Sequence, residues 1–370
     1  MSIEATHEMT LLRTLRKDRL TDEERMEALW NRQKPDRVPI LGISLGFSTL
    51  NVGYSIADAF IDAKKSADAQ RWTNEQYGWQ PIIWGCGSHS AFPAEEFGGE
   101  IKWPDTESMQ APVVARYAVD TNEDILNLEV PHNLEKVGTI PMLLENAAYM
   151  LKWKCVVIAP TFYGPLDTAV SVIGIERTLR LLVKNPDLLH HAFRVFTDFK
   201  IALAKLFADV FGADRLVPEI SGPMEANSII SPKHFEELCL PYIKELQESM
   251  REMGYKHMWF HPCGDQNANL PYWSQCDFGD PAIVSVGHEI DLNTVAEYFP
   301  DDIACGNLEP SIVQVQAAES IYQASKEIIL KGKGVPGGFM FSTGCEMPPK
   351  APPYNVWVLT KAINDFGWYE

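Results

Sequence analysis

Short apolar segments of strand length alternate along this chain with longer segments in which apolar residues recur at helical spacing. The eight strand-like segments are residues 38–45, 81–85, 155–161, 215–220, 257–261, 282–286, 303–306 and 339–342. The helical patterns between them cover residues 174–184, 186–211, 231–253, 291–299 and 310–331. Strands that are apolar on both faces and alternate with helices predict a parallel sheet that helices bury.

The number of these units favours closure of the sheet into a barrel over an open doubly wound sheet. An open sheet of that kind usually carries a glycine-rich phosphate loop after its first strand. Here the first predicted strand runs into LGFST at residues 45–49, which lacks that glycine pattern. We therefore predict an α/β fold of the (β/α)8 TIM-barrel type.

No internal repeat, low-complexity segment or Gly/Ser linker divides the chain, so a single barrel domain is predicted over residues 1–370. The capping box TDEE at residues 21–24 opens a helix that we expect to end near Arg32. Residues 1–37 are thus predicted to form an N-terminal helical extension. Residues 51–148 are longer than a simple connection and are predicted to place helices and a small hairpin over the barrel mouth.

The charge balance disfavours two classes of partner. Acidic residues outnumber basic ones by 50 to 32, which gives a net charge of −18, whereas nucleic-acid binding depends on Lys and Arg. Membrane surfaces are disfavoured for the same reason. Charges occur throughout the N-terminal segment, and no apolar run reaches the roughly 18 residues that a membrane span needs. With seven scattered cysteines, too few for a disulfide scaffold, the chain is predicted to be cytoplasmic.

Three candidate metal ligands lie where predicted strands end. His261 and Cys263 are two residues apart on an extended segment, so their side chains point the same way. Cys345 follows the last predicted strand, and barrels assemble their sites at this rim. An imidazole and two thiolates suit zinc, and three protein ligands leave a coordination position open, as in catalytic sites. The alternative is a core histidine with two unrelated buried cysteines.

Several motifs accompany these residues: HPCG at 261–264, GNLEP at 306–310, GGFMFSTGCEMPP at 337–349, DRVP at 36–39, SP at 231–232 and LPY at 240–242. Together they resemble the uroporphyrinogen decarboxylase superfamily, and within it the cobamide-dependent methyltransferase branch. The resemblance spans nearly the whole chain. It implies a barrel, a zinc ion held by His261, Cys263 and Cys345, and methyl exchange with a corrinoid.

The decarboxylase that names the superfamily is a poor fit. It is expected to carry arginines after the first strand for its substrate's carboxylates, and residues 42–49 contain none. The chain also lacks the Asp-x-His-x-x-Gly pattern by which corrinoid carrier proteins of related systems hold cobalt. The corrinoid is therefore expected on a partner, a corrinoid carrier protein.

The predicted mouth loops contain a single basic residue, Lys350, although a polyanion or a sulfonate such as coenzyme M would normally be recognised by Arg or Lys. Aromatic residues are frequent in the insertion and the loops, where they suit an apolar or aromatic guest. We therefore favour a methoxylated aromatic as methyl donor. Zinc would bind the ether oxygen and stabilise the phenolate that leaves, so the reaction would be an O-demethylation.

Two other functions stay open from the sequence. Two thiolates and a neutral imidazole cancel the zinc charge, so a bound thiol would be electron-rich and able to attack methylcobamide, as in transfer to coenzyme M. The same barrel could instead be a non-catalytic protein that binds a corrinoid or tetrapyrrole, with the metal site kept for structure. A closed four-ligand site would favour that role.

Further candidate residues lie at predicted strand ends and loops. Glu219 could be a fourth zinc ligand or a general acid, and its alternative role is a salt bridge at the barrel rim. Tyr163 and Asn307 are additional catalytic candidates, and Asp167 and Glu309 are candidates for cofactor binding. Each of these could instead cap a helix or order a loop. Weaker candidates of the same kind are Glu225 and Glu346.

Overall fold

The computed structural model describes residues 17–105 and 109–369 of the chain. Residues 1–16, which belong to the predicted N-terminal helical extension, lie outside the described residues, as do 106–108 and 370. The strands of the described part are β1 (Ile82–Trp84), β2 (Glu100–Lys102), β3 (Val113–Arg116), β4 (Val156–Tyr163), β5 (Val217–Ser221), β6 (Trp259–His261), β7 (Ile283–Ser285), β8 (Ile303–Leu308) and β9 (Phe339–Thr343).

One parallel sheet contains seven of these strands, in the order β1, β4, β5, β6, β7, β8, β9. The other two, β2 and β3, pair antiparallel as a separate ribbon. The strands of the parallel sheet coincide with all the predicted strands except the first. The α/β fold and its parallel sheet, which the alternation of strands and helices predicts, are thus confirmed.

The α-helices of the described part are α1 (Asp22–Trp30), α2 (Leu45–Asn51), α3 (Asp58–Ile61), α4 (Ala63–Tyr77), α5 (Asn122–Leu126), α6 (Ile140–Met150), α7 (Pro165–Ile173), α8 (Ile175–Lys184), α9 (Pro186–Phe211), α10 (Pro232–His234), α11 (Leu240–Glu252), α12 (Leu270–Trp273), α13 (Leu292–Tyr298), α14 (Pro310–Val315), α15 (Ala318–Gly332) and α16 (Pro353–Phe366). None of these described helices combines the length and the apolar character that crossing a bilayer requires.

The first predicted strand, residues 38–45, is wrong over most of its length. Only its beginning bonds to the sheet, where Phe341 N donates to Pro39 O at 2.9 Å and Leu41 N donates to Phe341 O at 3.1 Å. At Leu45 the chain already begins helix α2. A short apolar run fits a buried helix as well as a buried strand, so its periodicity could not separate the two.

Most predicted helices are present, and α9 has the bounds that the pattern predicted. The predicted helix 310–331 divides into α14 and α15, and the predicted helix 231–253 contains a π-helical segment at Phe235–Cys239. Pro241 accounts for the π-helical segment, because proline has no amide hydrogen and its ring would clash with the carbonyl four residues earlier. Such local detail is invisible to hydrophobic periodicity.

The predicted insertion, residues 51–148, contains helices α3 to α6 and the β2–β3 ribbon, which corresponds to the predicted hairpin. It also contains β1, which belongs to the main sheet. Val113 and Val114 of β3 line a cavity of about 550 Å³. The ribbon therefore covers this cavity. The bounds of the insertion and the single-domain organisation stay predictions.

Side chains of the sheet alternate between two apolar clusters. In β6 and β7, Phe260 and Val284 pack into the large outer core that the helices cover. Trp259 and Ile283, one residue earlier in each strand, belong to a second cluster on the opposite face, here called the inner face. Since residues two apart share a face of a strand, His261 lies on the inner face with Trp259. The inner face thus carries both an apolar floor and the first candidate ligand.

The DRVP motif has a structural explanation in an ion pair that anchors α1. Arg25 of α1 is completely buried, and its Nε donates to Asp36 Oδ1 at 2.9 Å. Asp36 also accepts from the backbone amides of Arg19 and Leu20 at 2.8 and 3.0 Å. Burial alone would raise the pKa of Asp36, but the Arg25 guanidinium and the two amides outweigh it and lower that pKa to about 2.

We expect Asp36→Asn to lower the free energy of unfolding by about 2 kcal/mol, because it removes the most buried of the three described carboxylates that pair with the buried Arg25. The folded pKa of Asp36 is depressed, so its contribution is complete above the unfolded pKa and disappears as the pH falls toward 2. Urea unfolding at neutral and acidic pH measures both effects. The control is Glu23→Gln, which removes an exposed ion pair with Lys154 and should cost less than about 1 kcal/mol. Equal losses in the two variants would contradict the role given to Asp36.

Candidate metal centre and active-site cavity

His261 is the last residue of β6, and neighbouring groups fix the orientation of its ring. Its Nδ1 lies 3.0 Å from the carbonyl oxygen of Ser285, at the end of the adjacent strand β7. A carbonyl only accepts hydrogen bonds, so Nδ1 carries the proton and donates it. In the neutral ring, the other nitrogen, Nε2, is then the one available to a metal. This is the arrangement by which zinc-binding histidines are usually oriented.

The structure brings Cys263 and Cys345 together with His261, although 82 residues separate the two cysteines along the chain. The ligand atoms of the three residues all lie within 4.8 Å of one another. The two Sγ atoms are 3.7 Å apart and do not form a disulfide. Two thiolates, each about 2.3 Å from a tetrahedral zinc ion, would be about 3.8 Å apart. The three side chains therefore fit a zinc ion, as the sequence predicted.

The electrostatics of the three groups favour a thiolate at Cys345. The Cys263 thiol donates to the Cys345 sulfur and, with the neighbouring His261, lowers the pKa of Cys345 well below its usual value. The same contact with Cys345, followed by burial, raises the pKa of Cys263. Burial opposes a charged imidazolium at His261, but contact with the Cys345 sulfur outweighs it and raises the pKa of His261. A thiolate next to a thiol and an imidazole is a set of ligands that can release protons when it binds a soft cation.

A cavity of about 550 Å³ opens over this cluster. Its apolar wall includes Ile43, Leu45, Trp84, Val113, Val114, Val170, Met224 and Trp259. Its polar wall includes Ser88, His89, Ser90, Tyr163, Asp167, Ser171, Glu219, Ser221 and Glu346, together with the three candidate ligands. Among the described residues that line it, none is Lys or Arg. The size is typical of small-molecule sites, and the wall carries acidic groups without a basic counterpart.

Glu219 of β5 faces this cavity beside the candidate ligands. It lies opposite Trp259 in the register of β5 with β6, so it points to the inner face like His261. Glu219 Oε2 accepts hydrogen bonds from Ser88 Oγ at 2.8 Å and from Thr161 Oγ1 at 3.1 Å. Burial raises the pKa of Glu219 although these hydroxyls and the nearby His261 oppose the shift. Its surroundings therefore suit either a carboxylate that approaches the metal or a carboxylic acid.

The structure places two further predicted residues in the cavity wall and two outside it. Tyr163 and Asp167 line the cavity, and burial raises the pKa of both. Asn307 is not part of the wall; its Nδ2 donates to the backbone oxygens of Gly287 and Ile290 at 3.2 and 2.7 Å. Those bonds order the loop that follows β7.

Glu309, the predicted cofactor-binding residue, is likewise outside the described cavity wall. It stands at the N-cap of α14 and accepts a hydrogen bond from Ser311 Oγ. The loop role foreseen as an alternative thus accounts for where Asn307 lies, whereas the Glu309 side chain bonds to Ser311 and makes no hydrogen bond that caps α14. Their catalytic and cofactor roles have no support from this placement.

Some wall residues were not foreseen from the sequence. Trp259 forms the floor with Trp84, the two rings meeting edge to face at 5.2 Å, and its position two residues before His261 could have revealed it. Ser88 follows β1 and reaches Glu219, a contact that only the fold determines. Glu346, a weaker candidate, accepts from Gly46 N at 3.0 Å, and burial raises its pKa to about 7.

Comparison with known proteins gives a family and several relatives for the chain. The family model described as uroporphyrinogen decarboxylase matches residues 21–366. A methylcobamide:CoM methyltransferase of Methanosarcina acetivorans is 24% identical over 354 residues, covering 94% of this chain and 99% of the relative. A methylated-thiol–coenzyme M methyltransferase of Methanosarcina mazei is 26% identical over 293 residues, covering 76% of this chain and 73% of the relative. A solved structure of a methyltransferase from Methanosarcina mazei matches the fold with a TM-score of 0.77 at 19% identity, covering 94% of this chain and 99% of that chain.

The chain belongs to the uroporphyrinogen decarboxylase family, because the family model spans nearly all of its described residues. Within the family it falls in the cobamide-dependent methyltransferase branch, and it is a methyltransferase like the relatives that cover most of its length. The resemblance inferred from the sequence motifs is thus confirmed. The alternative of a non-catalytic binding protein is set aside, since these relatives are enzymes.

Proposed function

We propose that this methyltransferase is zinc-dependent and moves a methyl group between a small substrate in the cavity and a corrinoid carried by a partner protein. The observation that carries the proposal is the sulfur-to-sulfur distance of 3.7 Å between Cys263 and Cys345, beside the His261 imidazole, whose Nδ1 bonds to Ser285. His261, Cys263 and Cys345 would hold the zinc ion. When bound, zinc supplies Lewis acidity toward the substrate atom that carries the methyl group.

We also propose that the parallel sheet closes into the predicted (β/α)8 barrel. Support comes from the chain at Ile40, which bonds to β9 on one side and accepts from Gln80 N at 2.7 Å on the other, just before β1. This short segment would then stand in the place of the eighth strand. The candidate ligands would lie at the C-terminal rim of that barrel, with the β2–β3 ribbon above them.

The composition of the cavity wall favours a neutral substrate with an aromatic ring. Trp84 and Trp259 offer ring faces and edges at the floor, where they would hold an aromatic guest and exclude water. The described cavity wall has no Lys or Arg to attract a sulfonate or a carboxylate, and an ionised Glu219 or Glu346 would repel one. We therefore propose a methoxylated aromatic as the methyl donor, so that the reaction is an O-demethylation.

A second candidate is methyl transfer from methylcobamide to a thiol. The observation that favours it is the ligand set itself, because two thiolates would neutralise the zinc charge and leave a bound thiol electron-rich. The names of the relatives, which include coenzyme M methyltransferases, point in the same direction. The absence of Lys and Arg from the described cavity wall speaks against coenzyme M as this protein's thiol.

The two directions are separated by paired assays on the zinc-loaded protein. In one assay, free cob(I)alamin is mixed with 2-methoxyphenol, and formation of methylcobalamin is followed by its absorption spectrum. In the other, methylcobalamin is mixed with small thiols, and its loss is followed. We expect methyl transfer from the ether and no thiol methylation above the rate without protein. Thiol methylation alone would reverse the direction, and inactivity of zinc-loaded protein in both assays would contradict the proposed function.

A further inference from the structure

A buried cluster of titratable groups includes one residue of the cavity wall. Asp167 of α7 lines the cavity, and it interacts with Glu225, in the loop after β5, and with Lys200 of α9, neither of which belongs to the described wall. Their exposed fractions are 4%, 0% and 4%. The proposed function so far uses none of the three. Buried charges are costly, so a cluster of this kind needs a structural or chemical explanation.

The backbone holds the two carboxyl groups face to face. Met224 N donates to Asp167 Oδ2 at 3.0 Å, and Leu166 N donates to Glu225 Oε1 at 2.9 Å. The loop and the first turn of α7 therefore satisfy each other's side chains. Gly164 makes this approach possible, because a Cβ atom there would lie 2.1 Å from Glu225 Oε1. The second oxygen of Glu225, Oε2, is buried and has no donor among the described residues.

A charge count predicts that the cluster retains a proton. Two carboxylates and the Lys200 ammonium would leave one uncompensated negative charge away from water, which one proton on a carboxyl group removes. That proton would also give Glu225 Oε2 the donor that it lacks. Burial, followed by the charge of Glu225, raises the pKa of Asp167 well above its usual value. Burial lowers the pKa of Lys200 to about 8, so its ammonium persists at neutral pH.

The other titratable groups near Asp167 do not supply a compensating charge. Burial raises the pKa of Cys239, which lies beside Lys200 and the carboxyl pair, so this thiol stays neutral. Burial likewise raises the pKa of Tyr163, at the end of β4. Cys263, a candidate zinc ligand, interacts with Asp167 only at longer range. Of the carboxyl groups in this cluster, Asp167 is the one that lines the cavity.

We propose that Asp167 and Glu225 share one proton, and that Asp167 delivers it to the substrate oxygen that loses the methyl group. This inference rests on the proposed O-demethylation. The bond between the methyl carbon and the ether oxygen breaks, and its electron pair stays on the oxygen. The methyl group passes to the cob(I)amide of the carrier, which supplies the electron pair of the new bond. The oxygen takes the proton of Asp167, and the carboxylate later regains a proton from water. The substrates of this site are then methyl ethers whose leaving oxygen is basic.

The test is the dependence of the rate on the leaving group, since a good leaving group needs no proton. Asp167→Asn keeps the size and polarity of the side chain but cannot release a proton. We expect it to lower kcat by about 100-fold with 2-methoxyphenol and by less than about 5-fold with 4-nitroanisole, whose nitrophenolate leaves readily. Equal losses with the two ethers would mean a structural role for Asp167 and would overturn the proposal.

Glu225→Gln provides a second and independent variant, because Glu225 is not part of the described cavity wall. With one carboxylate gone, Asp167 balances Lys200 without a proton, so we expect the same loss restricted to the poor leaving group. A variant with wild-type rates for both ethers would contradict the shared proton.

Infrared difference spectra of the wild type minus Asp167→Asn provide a readout without turnover, and we expect the carbonyl stretch of a protonated carboxyl group. Absence of this band would contradict the proton shared by Asp167 and Glu225. If the wild-type protein were inactive on every ether, both the proposed function and proton delivery by Asp167 would be contradicted.

Discussion

Cys345→Ser is expected to reduce bound zinc from about one ion per chain to a trace and to lower methyl transfer by about 1,000-fold. The serine hydroxyl is a poor zinc ligand, and the two remaining side chains cannot hold the ion in a defined geometry. A loss of about 4 kcal/mol in transition-state stabilisation corresponds to that factor. Metal content measured by mass spectrometry, together with the ether assay, reports both effects.

Cys276→Ser is the matched control for this substitution. Cys276 is a half-buried free thiol outside the cavity wall, so its replacement should leave zinc content and rate close to those of the wild type. Thermal unfolding of the two variants shows whether a change in folding contributes. A Cys345→Ser protein that retains stoichiometric zinc and wild-type rate would contradict the assignment of the metal site.

Glu219→Gln is expected to lower both zinc affinity and kcat by about 10- to 100-fold. Glutamine preserves the volume of the side chain and can still accept hydrogen bonds from Ser88 and Thr161, which lie 2.8 and 3.1 Å from Glu219 Oε2. What it removes is the negative charge beside His261 and the ability to hold a proton. Competition with a zinc-binding dye measures the affinity, and the ether assay measures kcat.

Glu309→Gln makes the same chemical change at a carboxylate that follows β8 but lies outside the described cavity wall. It should therefore leave zinc affinity and kcat unchanged. Similar losses in the two variants would show that the effect comes from net charge rather than from the position of Glu219. If zinc affinity and kcat of Glu219→Gln equalled those of the wild type, Glu219 would have only a packing role at the end of the sheet.

Hydrophobic periodicity was sufficient to predict most of the fold. The strands from β4 to β9 on the main sheet are buried on both faces, and such segments are recognisable because polar residues are rare in them. The segment at residues 38–45 was misread because a run of about eight apolar residues fits a strand or a short helix equally well. Pro39 and the N-terminal turn of α2 shorten its contact with β9 to a few residues.

The metal site could be predicted because its geometry is partly local. His261 and Cys263 share a face by their spacing alone, and Cys345 follows a strand whose end lies at the same rim. Asn307 near the end of β8 and Glu309 just after it are also at a strand end, yet they lie outside the described cavity wall, because their side chains bond to the neighbouring loop and to Ser311. The position of a residue along a strand predicts at which edge of the sheet it lies. It does not predict which neighbouring group its side chain contacts.

The buried cluster of titratable groups shows a different limit of prediction from sequence. Asp167, Lys200 and Glu225 lie on two helices and a loop, and no spacing rule relates them. Their proximity depends on how α9 packs against α7 and on the close approach of the loop at Gly164. A charge count over such a cluster becomes informative only once burial is known. The sequence could nominate Asp167 and Glu225 as candidates, but not as partners.

X-ray absorption spectroscopy of the zinc-loaded protein, before and after addition of 2-methoxyphenol, tests the central claim most directly. We expect two sulfur ligands at about 2.3 Å and nitrogen or oxygen ligands at about 2.0–2.1 Å, with the sulfur shell unchanged and the oxygen shell altered when the ether enters. A spectrum without two sulfur ligands would contradict the metal centre formed by His261, Cys263 and Cys345. A closed shell that the ether leaves unaltered would contradict its role in methyl transfer.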